Sequence, residues 1–179
     1  LHPMMWCFFC YNLHVERYSM RFLLCDTVFE IHNIYPYIEQ YCKEYLYDGD
    51  RNAECNISVS DEDIEYEREK SKQEDIKEGI SIREFSDAYL ETIAVYRKIC
   101  RYLLDRDIVL FHGSVISVDG IGYLFTAKSG IGKSTHTRYW REYFKERAIM
   151  INDDKPLLAI KDDKVYAYGT PWDGKHRLS

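Results

Sequence analysis

The chain has 179 residues, 46% of them hydrophobic and 15% aromatic, enough to bury a real core and to exclude global disorder. Its length suits one ordinary domain and a small addition. A net charge of −6 argues against a nucleic-acid or membrane partner, since contacts to phosphates need clustered Lys and Arg.

The chain opens at Leu1, and "MMWCFF" is too short to span a bilayer and follows no basic run of a signal peptide. Cys7 and Cys10 in "CFFC" have CxxC spacing, but a zinc knuckle needs a second pair and a thioredoxin-like site needs a strand before and a helix after. Of the six Cys, Cys25, Cys42, Cys55 and Cys100 lie in segments that read as core strands or helices. Such reduced, buried thiols point to a cytoplasmic protein. Residues 1–19 read as an extension outside the folded core, either part of a longer chain or an upstream reading error, with a natural-looking start at Met20.

"RFLLCDTVFEIH" predicts two short strands broken near Asp26. "PYIEQYCKEYLY" predicts a helix with Pro36 at its start and apolar Ile38, Cys42, Tyr45 and Leu46. "AECNISVS" predicts a strand. The densely charged stretch Ser60 to Glu78 predicts a solvated helix or mobile loop. In "FSDAYLETIAVYRKICRYLLDRD", Ser86 is the N-cap of a helix whose apolar face is Phe85, Tyr89, Ile93, Tyr96, Cys100, Leu103 and Leu104. Residues 20–106 thus form a small α+β portion ending in a long helix.

Two apolar runs follow, "IVLFHGSVISV" and "GYLFTA". They predict a hairpin turning at Asp119-Gly120 and feeding a glycine loop. A helix is expected from Lys133, a strand at "AIMIN", and a hairpin in "LLAIKDDKVYAYG" turning at Asp162 and Asp163. Residues 107–179 read as an α/β core. It stops in the loop-like "GTPWDGKHRLS", as a core cut short would.

"AKSGIGKS", Ala127 to Ser134, fits the phosphate-loop pattern with Ala in first place. Gly130 and Gly132 let the backbone turn its N–H groups onto phosphate. The helix behind them points its positive end at the same oxygens. Lys133 would reach the β- and γ-phosphates, and the Ser134 hydroxyl would ligate Mg²⁺. Asp153 and Asp154 close the next strand, where strand ends of an α/β sheet flank the phosphate site. One carboxylate suits Mg²⁺, the other a proton taken from an attacking hydroxyl; the sequence does not say which is which. His112, at the end of "IVLF", is placed to contact a phosphate or orient an acid.

Together these segments, "LFHGSVISVDGIGYLFTAKSGIGKSTHT" and "MINDDKPLL", resemble the catalytic core of HPr kinase/phosphorylase and its relatives, a group akin to the ATP-dependent phosphoenolpyruvate carboxykinases. The resemblance covers about residues 108–158. It implies a P-loop core, ATP and Mg²⁺ as cofactors, and phosphoryl transfer to a hydroxyl of a small molecule or of a Ser in a peptide or protein. By the same resemblance, Ser129, Gly130, Ile131, Gly132, Lys133, Ser134 and Thr135 hold the nucleotide. Ser134, Asp153 and Asp154 hold the metal, and His112 and Lys133 sit at the transferred group. Relatives often form homo-oligomers. The glycine-rich signature that follows the HPr kinase core is not found, and "STHTRYW" departs from the usual loop helix, with His136 and Arg138 near the site. "GTPWDGKH" resembles a stretch of HPr-kinase-like proteins and makes Trp172, Asp173 and Lys175 candidate substrate contacts. A P-loop NTPase and an ATP-sensing module without catalysis are the alternatives; no guanine-reading Asn-Lys-x-Asp is present.

Overall fold

The computed structural model of the protein describes residues 18–128 and 131–173. The chain first forms a hairpin of β1 (Tyr18–Leu24) and β2 (Thr27–Asn33). The break expected near Asp26 is its turn: Cys25 and Asp26 take φ of 50° and 61°, the left-handed pair whose twist matches that of two antiparallel strands. Helix α1 (Tyr37–Tyr41) is shorter than expected, followed by a 3₁₀ turn at Lys43–Tyr45. The chain leaves the helical path because Leu46 bridges Phe22 and the Tyr47 N–H donates to the Arg21 carbonyl at 2.8 Å, drawing it alongside β1. Strand β3 (Cys55–Ser58) then pairs parallel to β2.

The charged stretch is helix α2 (Asp61–Glu78). Ser60 and Asp63 form a reciprocal capping box, three acids fill the first turn, and Gly79 ends the helix at φ 68°. Ion pairs, not an apolar stripe, dock it: Arg97 and Lys98 reach Asp63, and Arg97 reaches Glu67. Those two cations belong to α3 (Asp87–Leu104), whose Ser86 cap accepts the Tyr89 N–H at 3.3 Å. The buried face of α3 overlaps the expected one in part. Tyr96 and Leu103 are buried as expected, Leu90, Ala94, Val95 and Ile99 are buried with them, and Leu104 is 59% exposed. The helix carries two overlapping apolar stripes, and packing buries chiefly the one through Leu90, Ala94 and Ile99; Phe85, Ile93 and Cys100 flank the core.

Next come β4 (Ile108–Leu110), β5 (Ser114–Val118), β6 (Ile121–Phe125), α4 (Lys133–Phe144), β7 (Ala148–Asn152), β8 (Leu157–Lys161) and β9 (Lys164–Tyr168). The run "IVLFHGSVISV" is divided: β4 pairs with β8, while β5 pairs with β6 across the Asp119-Gly120 turn. The sheets are β1-β2-β3, β4-β8-β9 and β6-β5-β7. Among the described residues the architecture is therefore mixed α/β, four helices with three small sheets, and every strand pair except β2–β3 is antiparallel. One hydrophobic cluster runs from Phe22 and Phe29 through α3 to Ile108, Leu157 and Trp172, so it crosses the division expected near residue 106. Among the described residues no helix is long and apolar enough to cross a membrane.

Candidate active site

Strands β6 and β7 flank β5, and both run antiparallel to it. Their C-terminal ends thus meet the beginning of β5 at one sheet edge. The register makes this concrete: Ser114 lies opposite Phe125, and Val115 opposite Asn152. From this edge leave the glycine loop after Phe125, the His112-Gly113 pair before Ser114, and Asp153-Asp154 after Asn152. Gly113 is required by close approach, since a Cβ there would lie 2.9 Å from both the Phe125 carbonyl oxygen and Leu124 Cδ1.

The two aspartates differ in setting. Asp153 is buried. Ser114 Oγ lies 2.9 Å from Asp153 Oδ1, to which it donates, and 3.1 Å from the Asp153 carbonyl oxygen. The Asp153 N–H donates to the Asp173 carboxylate. Asn152 Oδ1 accepts the N–H groups of Asp154 and Lys155 at 3.0 and 2.6 Å, an Asx-type turn that swings the chain out of the strand. The Asn152 amide is itself anchored on Thr170. Asp154, partly exposed, presents its carboxylate to His112 Nε2 at 3.3 Å and Lys155 Nζ at 2.7 Å. The Gly113 N–H donates to the Asp154 carbonyl at 3.0 Å, tying the two loops together.

In the glycine loop, Gly132 at φ 99° begins α4, and the His136 N–H reaches its carbonyl at 2.9 Å. Lys133 Nζ donates to the Ala127 carbonyl at 3.0 Å, so the ammonium closes the loop from its last residues to its first. No acidic residue and no side-chain cap occupies the first turn of α4, which leaves its positive end uncompensated. Ile131, Ser134 and Thr135 are exposed. Ser129 and Gly130 lie outside the described residues.

The structure therefore brings His112, Asp153 and Asp154 together and sets Lys133, Ser134 and Thr135 in the first turn of α4, at the end of the loop that leaves the neighbouring strand. Among the described residues, no hydrogen bond or ion pair joins Lys133 or Ser134 to Asp153 or Asp154, and no group of three or more His, Cys, Asp or Glu could hold a metal by itself. Candidates beyond this edge fare differently. His136 accepts from Trp140 Nε1 at 3.1 Å and packs on Phe125, so it belongs to the aromatic seam between α4 and β6. Arg138 pairs with Glu142 at 3.6 Å on an exposed helix face. Trp172 is not a substrate contact: it is buried and stacked on Tyr96, with centroids 4.1 Å apart and planes 8° from parallel. Lys175 and the Cys7–Cys10 pair lie outside the described residues. Sequence reasoning passed over Ser114, Asn152 and Thr170, although Ser114 directly follows His112-Gly113 and Asn152 directly precedes the Asp pair. The chain matches no family model, no curated protein and no solved structure.

Proposed function

We propose that the protein is an ATP-binding, HPr kinase-like phosphotransferase that moves the γ-phosphoryl group of ATP to a hydroxyl of a small molecule or of a Ser in a peptide or protein. The observation that carries this reading is the shared sheet edge, where the His112–Asp154 contact and the Ser114-held Asp153 adjoin a glycine loop of phosphate-binding pattern.

The chain's own groups have separable tasks. The backbone N–H groups of the loop and the start of α4 hold phosphate oxygens. Lys133, already spanning the loop, transfers its ammonium from the Ala127 carbonyl to the anionic oxygens and offsets their charge. Asp154 has the exposure that a proton acceptor needs, and His112 orients it and contacts the transferred group. Asp153 supports from below, its carboxylate fixed by Ser114. The Ser134 hydroxyl is a hard oxygen donor that suits Mg²⁺, which such sites hold with few protein ligands plus substrate phosphates. When bound, Mg²⁺ neutralises charge on the phosphates. The free thiols of Cys25, Cys55 and Cys100 support a reducing, cytoplasmic setting.

The test is γ-labelled ATP with Mg²⁺ in a cell extract, with and without the protein. Label transferred to a metabolite or polypeptide by the intact protein, but not by Lys133→Ala or Asp154→Asn, is the expected result. Label released only as free phosphate would replace the kinase by an NTPase, and ATP bound without turnover would leave a sensor.

A further inference from the structure

Sheets β6-β5-β7 and β4-β8-β9 face each other with a cavity of about 530 Å³ between them. Alternation along the strands assigns the faces. Tyr123 and Phe125 pack on Trp140 of α4, so Gly122 and Leu124 point to the opposite side. Ile108, Leu157 and Ala159 join the α3 core, so Leu158 and its partner Ala167 point away from it. The result is a layered order of α4, sheet, cavity, sheet and α3. The sheets approach closely where β9 ends, since a Cβ on Gly169 would lie 2.6 Å from the Ile151 carbonyl oxygen. They part further along, where Gly120, Gly122, Ser117 and Ala167 supply too little side chain to fill the gap. Facing sheets normally interdigitate at near-crystalline density. This pair does not, and the space falls within the range of small-ligand sites.

We infer that this inter-sheet cavity is a binding site for a neutral, flat, largely apolar small molecule. Val115, Leu124, Ile151 and Leu158 give it apolar walls, the glycines give it a flat floor, and the Ser117 hydroxyl is its polar handle. Among the described residues, no charged side chain lines it, so nothing in the lining would pair with the charge of an anionic ligand, whereas a neutral one gives up no charge hydration. The cavity is on the sheet face away from α4, separate from the phosphate loop, and does not depend on the kinase reading.

The probe is N-phenyl-1-naphthylamine, a neutral fluorophore, titrated into the folded protein beside the anionic 8-anilinonaphthalene-1-sulfonate. Saturable one-site enhancement is expected with the neutral dye, and binding at least tenfold weaker with the anionic one. Gly122→Leu and Ala167→Phe fill the space and should abolish the neutral-dye signal with the melting temperature kept or raised. A Cβ at Gly122 meets only Val115 Cγ1 at 3.9 Å, so that variant is sterically permitted. Should either variant melt early, Ser117→Leu is the third filler. Lys133→Ala should bind the dye as the wild type does. No saturable signal, equal binding of both dyes, or full binding by a folded filled variant would overturn the assignment. Displacement by ATP that disappears in Lys133→Ala would also overturn it, making the cavity part of the nucleotide site.

Discussion

Ser114 on β5 hydrogen-bonds across the strand pair to the carboxylate of Asp153 after β7, Oγ to Oδ1 at 2.9 Å. Both residues are buried, so the carboxylate has little water to fall back on. Ser114→Ala should destabilise the fold by about 1–3 kcal/mol, the usual cost of leaving a buried acceptor short of its donor. Thermal unfolding monitored by circular dichroism reads this. An unchanged melting temperature would mean that Asp153 is supported by other groups.

Trp172 caps the core beside the site by stacking on Tyr96, whose hydroxyl donates to the Lys155 carbonyl at 2.8 Å. Trp172→Ala should cost about 3–5 kcal/mol through the lost contacts and the space left behind. Trp172→Phe keeps a stacking ring and removes a buried indole N–H that finds no partner among the described residues, so it should cost less, about 1–2 kcal/mol for the smaller space left behind. Equal losses in urea-unfolding free energy for the two variants would refute the stacking role.

Asp63 joins α2 to α3 through Lys98 and Arg97. Burial alone would raise its pKa. Hydrogen bonds from Lys98, the Ser60 backbone and Arg97 outweigh burial and hold the value near 2. Because the folded value is depressed, the stabilisation is full above the unfolded value of about 3.9 and is lost as pH falls toward 2. The wild type should therefore lose about 2 kcal/mol across that window, and Asp63→Asn should show a flatter profile. Parallel pH–stability curves for the two proteins would contradict this linkage.

Burial pushes the Cys25 thiol up to about 12, assisted by the Asp26 charge, and burial likewise pushes Cys100 to about 12 against a hydrogen bond from Tyr96. Thiolate is the reactive form. At pH 8, iodoacetamide should label the partly exposed Cys55, whose thiol is also raised by burial, well before the buried Cys25 in the native protein, and both alike in urea. Peptide mass mapping distinguishes these outcomes, and early labelling of Cys25 would refute its burial.

Much of the fold was legible because turns and caps are written locally. The paired left-handed residues Asp162-Asp163 and Asp119-Gly120 end strands where expected, and Ser86 caps α3. Partner choice was not legible. Nothing within "IVLFHGSVISV" tells that β4 will pair with β8, 47 residues on, while β5 takes β6, since both halves are simply apolar. Nor did periodicity choose between the two stripes of α3, where the surrounding sheets decide. Trp172 misled because a Trp near Gly and Pro reads equally as a surface contact and as a plug. At the site, the motif residues were visible, but the Ser114 and Asn152 bonds that set Asp153 and Asp154 apart depend on strand register.

The central claim is that the loop at this sheet edge binds the phosphates of ATP through Lys133. Isothermal titration of the folded wild type and of Lys133→Ala with MgATP tests it most directly. The account predicts saturable binding by the wild type and affinity about 10- to 100-fold weaker in the variant, the loss expected when a charge-assisted contact to phosphate is removed. Equal affinities, or no binding by the folded wild type, would contradict it.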